Sequence, residues 1–172
     1  SDKSLILLRL NKLDEALEVI TKSININKDD FVSQNNAGLI YMHMQKNELA
    51  EKKFLKSIEL NSNYIPAYSN LGRCYDNMNL QHKSYIFYKK AFTLNPNSFI
   101  ILNNLAGHYL DNGNYEKSLK YYLKASKINP LDLTVLSNIS KSYFLLDQYN
   151  LSIEYIKRCL KKDPTNDEYT KT

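Results

Sequence analysis

Four asparagines recur at a strict interval of 34 residues: Asn36, Asn70, Asn104 and Asn138. A side-chain amide has one acceptor oxygen and two donor hydrogens, so it can pair with both the N–H and the C=O of one peptide unit. Asparagine costs roughly 0.5 kcal/mol relative to alanine inside a helix, so such a column needs a reason. The asparagine column could hold an extended peptide by hydrogen bonds to the peptide backbone. The competing explanation is the general richness of the chain in asparagine.

No combination of side chains predicts catalysis. The three histidines, His43, His82 and His108, lie in separate segments and lack the spacing of metal ligands. Cys74 and Cys159 belong to no CxxC pair and no Cys/His cluster, and we expect two buried, reduced thiols. A glycine-rich phosphate loop and a nucleophile–base pair are also missing. We therefore predict no catalytic residue, metal, cofactor or small-molecule substrate.

Charge and hydropathy bear on membrane association and on a nucleic-acid partner. The chain carries 23 Lys/Arg against 18 Asp/Glu, a formal net charge of +5, and is 43% hydrophobic. No apolar run approaches the ~20 residues of a membrane helix, and no signal-peptide cleavage site is recognisable, so we expect a cytoplasmic protein without membrane insertion. A lysine-rich stretch is interpreted as a solvated face; a nucleic-acid partner, the less economical alternative, would bind with steep salt dependence. This stretch contains Lys117, Lys120, Lys124 and Lys127.

The same 34-residue interval defines the elements that would position the asparagines. Asn95-Pro96, Asn129-Pro130 and Asp163-Pro164 follow one another at this interval. A tyrosine column and a column of small residues share it. The tyrosines are Tyr41, Tyr75, Tyr109 and Tyr143, and the small residues are Gly38, Gly72, Ala106 and Ser140. A period of this length across the chain indicates a repeat architecture.

Each repeat is predicted to be a helix, a turn and a second helix. Counting from Phe31, Ile65, Phe99 and Leu133, apolar residues recur at positions 4, 7 and 11 beside a small residue at 8, which together form one helix face. Small residues at 20 and 27 flank a large one at 24 in the second half. The small side chains let the two helices approach closely. A single hairpin cannot bury both faces, so neighbouring hairpins must stack.

This pattern resembles the tetratricopeptide repeat (TPR) family over nearly the whole chain. The best-matching repeat carries it on Tyr68, Leu71, Gly72, Tyr75, Ser84, Tyr88, Ala91 and Pro96. Departures are Gln34 at position 4, Ser62 in place of proline, Ser140 at position 8 and His108 at position 10. The resemblance implies an all-α fold, an α-α superhelix (solenoid) of stacked 34-residue hairpins. The RNA-reading pentatricopeptide family favours a period of 35 residues and lacks the glycine and the closing proline found here at Gly72 and Pro96.

We predict one TPR array over residues 1–172. It would contain a partial repeat, 1–30, four full repeats, 31–64, 65–98, 99–132 and 133–166, and the start of a further helix at 167–172. No polar-faced capping helix closes the array, although terminal caps are expected in such proteins. Either the chain is a fragment of a longer protein, or its uncapped ends meet another chain, which would permit self-association.

In the first helix of each repeat, positions 2, 6, 9 and 13 project from the face opposite the core. The resemblance implies that this face lines a concave groove where ligands bind, and the asparagine column is similar to the ladder of the O-linked N-acetylglucosamine transferase repeats. The candidate peptide-binding residues are Asn36, Asn70, Asn104, Asn138, Asn35, Arg73, Asn77, Asn103 and Lys141. Positions 2 and 5 lack the lysines with which some relatives grip chaperone tails, so we predict no such clamp.

The sequence therefore predicts a protein-interaction scaffold that binds an extended peptide or a partner protein in this groove. Two alternatives remain. The chain could be the recognition arm of a larger enzyme, such as a TPR-linked glycosyltransferase, or a self-assembling TPR adaptor.

Overall fold

The computed structural model describes residues 2–163, and within them the chain forms ten α-helices and no strand. The segment 167–172, predicted to start a further helix, and the end of the last predicted repeat lie outside the described residues. The helices are α1 Asp2–Arg9, α2 Leu13–Ile26, α3 Phe31–His43, α4 Asn47–Leu60, α5 Ile65–Asn77, α6 Gln81–Leu94, α7 Phe99–Asp111, α8 Tyr115–Ile128, α9 Leu133–Phe144 and α10 Tyr149–Lys162.

The helices fall into two compact units, residues 1–94 and residues 95–172. In the first unit α1 packs on α2, α3 on α4 and α5 on α6, and the hairpins are joined through α2–α3 and α4–α5 contacts. The first helices also touch, because α3 contacts both α1 and α5. In the second unit α7 packs on α8, α8 on α9 and α9 on α10. The all-α prediction and the helix–turn–helix repeats are confirmed.

In two hairpins the glycine at repeat position 8 packs against an aromatic ring of the second helix. A Cβ atom added to Gly38 would lie 2.5 Å from the Phe54 ring, and one added to Gly72 would lie 2.7 Å from the Tyr88 ring. Both rings are fully buried. The glycines are therefore needed for the close approach of the two helices, as the sequence predicted.

The turn inside every hairpin has a left-handed residue at one register. Asn11, Gln45, Asn79 and Asp147 have φ angles between 56° and 59°, and Gly113 has φ 73°. These five residues all correspond to repeat position 15. Glycine adopts this conformation without steric cost and asparagine tolerates it, whereas glutamine does not, so the backbone is strained at Gln45.

Departures from the repeat pattern are accommodated by hydrogen bonds. Gln34 donates from Nε2 to the carbonyl of Lys28 (3.2 Å), and Tyr68, 34 residues later, donates from its hydroxyl to the matching carbonyl of Ser62 (2.9 Å). Gln34 therefore replaces a tyrosine without leaving that carbonyl unpaired. Ser140 likewise fills a buried small-residue position, where its hydroxyl lies 2.8 Å from that of Ser152.

Candidate binding surface

Three asparagine side chains of the first unit form a single hydrogen-bonded series. Asn70 on α5 donates from Nδ2 to Oδ1 of Asn35 on α3 (2.9 Å), and Asn35 donates from Nδ2 to Oδ1 of Asn36 (3.3 Å). The last amide of the series has a buried Nδ2 with no hydrogen-bond partner. The series therefore joins two repeats through their predicted binding residues and ends on an unused donor.

Burial divides these residues into covered and accessible ones. Asn35 and Asn36 are 3% and 4% exposed, and Asn70 is half-buried. The projecting face of α3 is covered because α3 lies against another first helix on each side, α1 and α5. Sequence periodicity could identify this face, but it could not show that neighbouring first helices would cover the amide of Asn36.

The accessible part of the first unit runs along α5. Asn70, Arg73 and Asn77 are three and four residues apart, so they follow one face of the helix. Arg73 and Asn77 are exposed. The guanidinium one turn beyond the Asn70 amide could donate paired hydrogen bonds to a carboxylate of a bound chain.

The second unit has the same arrangement on α9, where exposed Lys141 follows half-buried Asn138 by three residues. On α7, Asn103 and Asn104 are half-buried as well, and Oδ1 of Asn103 is a buried acceptor without a partner. Each unit therefore combines a partly covered amide with an exposed cation one turn further along.

Family models for the tetratricopeptide repeat match the chain throughout. One matches residues 2–30, 32–64, 65–98 and 133–166, and a second matches residues 99–132. The chain belongs to the tetratricopeptide repeat family.

Solved structures of other TPR proteins share the fold at low sequence identity. The chain is similar to PilF of Pseudomonas aeruginosa (15% identity, TM-score 0.87, 98% of this chain and 77% of that one). It is also similar to MamA of Desulfovibrio magneticus (16%, 0.79, 96% and 94%) and to YrrB, described as a TPR protein with an unusual peptide-binding site (15%, 0.73, 97% and 86%). No curated protein sequence matches the chain.

The tyrosine column of the TPR repeats belongs to a recurring aromatic pair that the sequence analysis missed. In three hairpins the tyrosine at repeat position 11, on the first helix, packs against the aromatic residue at position 23, on the second helix. Their ring centroids are 5.4–5.6 Å apart. The pairs are Tyr75–Phe87, Tyr109–Tyr121 and Tyr143–Tyr155. The recurrence of aromatic residues at position 23 at the 34-residue interval was the signal available. As predicted, the column packs within the hairpins.

Cations cover several of these rings. The Nζ atoms of Lys117 and Lys124 lie 5.3 Å and 5.8 Å from the ring centroids of Tyr109 and Tyr121, within the range of cation–π attraction. Arg158 lies 4.7 Å from the ring of Tyr155. Part of the lysine-rich second-helix surface, interpreted from sequence as simply solvated, therefore has specific aromatic partners.

Residues 2–163 were also compared with the requirements of a metal site, a reactive thiol and a membrane-spanning helix. No group of histidine, cysteine and acidic side chains in this range could hold a metal ion. Both cysteines are buried and unbridged, and burial raises the pKa of Cys74 to about 11. None of the helices in the described range is long and apolar enough to span a bilayer.

Proposed function

We propose that this TPR protein is an interaction scaffold whose first helices hold an extended peptide by its backbone. The observation that carries the proposal is the amide series Asn70–Asn35–Asn36, which ends on a buried donor without an acceptor. The Asn36 amide is covered, so the half-buried Asn70 is the member of this series that a peptide can reach, and its bond to Asn35 holds its side chain in place. The description of YrrB as a peptide-binding TPR protein supports the same class of ligand.

The accessible residues set what else a ligand would contact. Asn70 is half-buried, and Arg73 and Asn77 continue its helix face into solvent. Each net hydrogen bond contributes only ~0.5–1.5 kcal/mol, and association itself is costly, so amides alone would give weak binding. A carboxylate opposite Arg73 or Lys141 would add affinity, and we expect the preferred peptides to contain acidic residues.

The test is a peptide array followed by two kinds of change. In the protein, Asn36, Asn70, Asn104 and Asn138 are each changed to alanine, with circular dichroism to check folding. The matched control changes the exposed loop residues Asn63 and Asn97 to alanine. In the peptide, backbone amides are N-methylated one at a time. This second change tests backbone recognition without altering the protein.

The expected result is that peptides bind the wild type and the control, lose affinity for the quadruple variant, and lose affinity on N-methylation at alternate positions. Peptides that bind the quadruple variant as tightly as the wild type would remove the asparagine column from the site. Peptides that tolerate every N-methylation would exclude backbone recognition.

Self-association is a second candidate, favoured by the apolar surface of the last hairpin. Phe144, Leu151 and Ile153 are each at least 40% exposed on α9 and α10. Sedimentation velocity over a hundredfold concentration range distinguishes the two. A concentration-independent monomer would exclude assembly through this surface, whereas a rising sedimentation coefficient that Ile153→Lys abolishes would support it.

A further inference from the structure

A groove on the second-helix side of the residues 95–172 unit is apolar at its base. It lies between α8 and the connection from α9 to α10, with a volume of about 560 Å³. Leu119 and Leu123 of α8 and Leu146 of the connection supply aliphatic side chains, and all three are only half-buried. The site is an open surface groove and not an enclosed cavity.

The rim of this groove is positively charged. Lys120, Lys124 and Lys127 line it and are exposed, and Glu116 is its one acidic lining residue. Within residues 2–163, no carboxylate pairs with these three lysines. The Nζ atom of Lys124 lies 5.8 Å from the centroid of the Tyr121 ring. The groove therefore combines aliphatic surface with ammonium groups that lack a counter-charge.

We propose that this groove binds a short acidic amphipathic helix of a partner protein. Leu119 and Leu123 are one helical turn apart, about 6 Å, which matches apolar residues at i and i+4 of a bound helix. The lining of α8 runs from Glu116 to Lys127, about 17 Å at 1.5 Å per residue, or three helical turns. The three lysines span about 10 Å of this length, or two helical turns, and would meet glutamates or aspartates beside the leucines of the bound helix.

Aliphatic side chains favour a peptide over a nucleic acid. Proteins that hold single strands without sequence preference stack bases on aromatic rings and follow the backbone with cations. The groove has cations, but its apolar lining is leucine, which gives a base no stacking platform. A negative ligand that also carries aliphatic groups satisfies both the lysines and the leucines. This groove lies on the second-helix side and shares no residue with the peptide site proposed on the first helices.

The experiment uses a stapled synthetic helix of about 14 residues with leucines four apart on one face and glutamates on both flanks. Binding is measured by fluorescence anisotropy at low salt. Two matched peptides replace the leucines with serine or the glutamates with lysine, and a single-stranded DNA 20-mer is the nucleic-acid probe. Because these changes are made in the ligand, they cannot disturb the fold of the protein.

Two triple variants separate this groove from general positive charge. The test variant is Lys120→Glu, Lys124→Glu and Lys127→Glu. The control variant is Lys28→Glu, Lys52→Glu and Lys90→Glu, which makes the same change in net charge at exposed lysines of the other unit. Circular dichroism and thermal unfolding check that both variants fold.

We expect the acidic amphipathic helix to bind the wild type and the control variant and to lose about tenfold or more in affinity with the test variant, since three exposed ion pairs each contribute a small factor. The serine and lysine peptides should bind more weakly than the parent. The proposal is overturned if the parent peptide does not bind, if the leucine-free peptide or the DNA binds as tightly as the parent, or if the control variant loses as much affinity as the test variant.

Discussion

Alanine at Gly38 should destabilise the protein, although alanine is the better helix former. In a helix interior, replacing glycine by alanine is worth about 1 kcal/mol in favour of alanine. Here the new Cβ would meet three atoms of the Phe54 ring at 2.5, 2.7 and 2.9 Å. Carbon atoms pack at about 3.5–4.0 Å, so the ring would have to retreat by roughly 1 Å. Phe54 is fully buried, and overpacking of this kind costs about 1–3 kcal/mol.

The net expectation is a loss of about 1 kcal/mol in the free energy of unfolding, measured by urea denaturation followed by circular dichroism. The control is Gly107→Ala, because a Cβ there meets only the Tyr122 hydroxyl, at 3.4 Å. That change should stabilise by up to about 1 kcal/mol. The same substitution in two helices is therefore expected to have opposite signs.

A double-mutant cycle tests the cause of the loss. Phe54→Leu alone should destabilise, but the double variant Gly38→Ala with Phe54→Leu should lose less than the sum of the two single changes, because the smaller side chain leaves space for the Cβ. If Gly38→Ala stabilises as much as Gly107→Ala, or if the two changes are strictly additive, the proposed contact with the ring is not what requires glycine.

Three further outcomes follow from local geometry. Gln45→Gly should raise the free energy of unfolding by about 0.5–1 kcal/mol, since glycine relieves a left-handed φ that costs other residues about 1–2 kcal/mol. At pH 8 Cys74 should react with a thiol reagent far more slowly in native protein than in urea, because burial raises its pKa to about 11. Burial would by itself raise the pKa of Asp30, but hydrogen bonds from Ser33 and the Val32 N–H lower it. Asp30→Asn should therefore reduce the loss of stability as the pH falls below about 4.

Each of these outcomes has a control. Gly113→Ala should destabilise at the same turn position as Gln45, and an equal effect of the two changes would refute the strain argument. The raised pKa of the Cys74 thiol stabilises the folded protein below pH 9, and this contribution is lost as the pH rises from about 9 to about 11. The free energy of unfolding should therefore decline over this range, and it should decline less in Cys74→Ala. For Asp30, the carboxylate favours the fold only when ionised, so an acid transition unchanged in Asp30→Asn would show that its hydrogen bonds are not important.

The hairpins could be predicted because their signal is periodic. Small residues at position 8, tyrosines at position 11 and large residues at position 24 repeat every 34 residues, and the close contact of Gly72 with Tyr88 is a direct consequence. Individual substitutions were harder to interpret. Gln34 departs from the pattern, yet it reaches the same carbonyl as Tyr68, because either side chain can place a donor there. Periodicity detects residue types, whereas hydrogen bonding depends on where donor atoms lie.

The binding surface could be predicted only in part. The asparagine column could be found from sequence, since it needs only an interval, but the burial of Asn36 depends on α3 having a first helix on each side. The aromatic pairs were missed because position 23 was not considered part of the repeat signature. The lysine-lined groove was missed because the lysines were interpreted as a solvated face and because Leu119 and Leu123 belong to none of the repeat columns considered; the structure leaves both leucines half-buried.

The salt dependence of ligand binding should distinguish the two proposed binding surfaces. The amide series on the first helices is neutral, and its hydrogen bonds do not depend on charge, so peptide binding there should change little between about 0.1 M and 1 M salt, where the screening length falls from about 10 Å to about 3 Å. The rim of Lys120, Lys124 and Lys127 is exposed, so binding of an acidic helix should weaken strongly over the same range. Arg73 and Lys141 add a charged contribution to the first surface, and Arg73→Gln together with Lys141→Gln should remove whatever salt dependence the peptide shows there. Salt dependence of peptide binding that survives the double change Arg73→Gln with Lys141→Gln and disappears in the Lys120/Lys124/Lys127 variant would mean that both ligands use the second-helix groove, and that the asparagine column is structural.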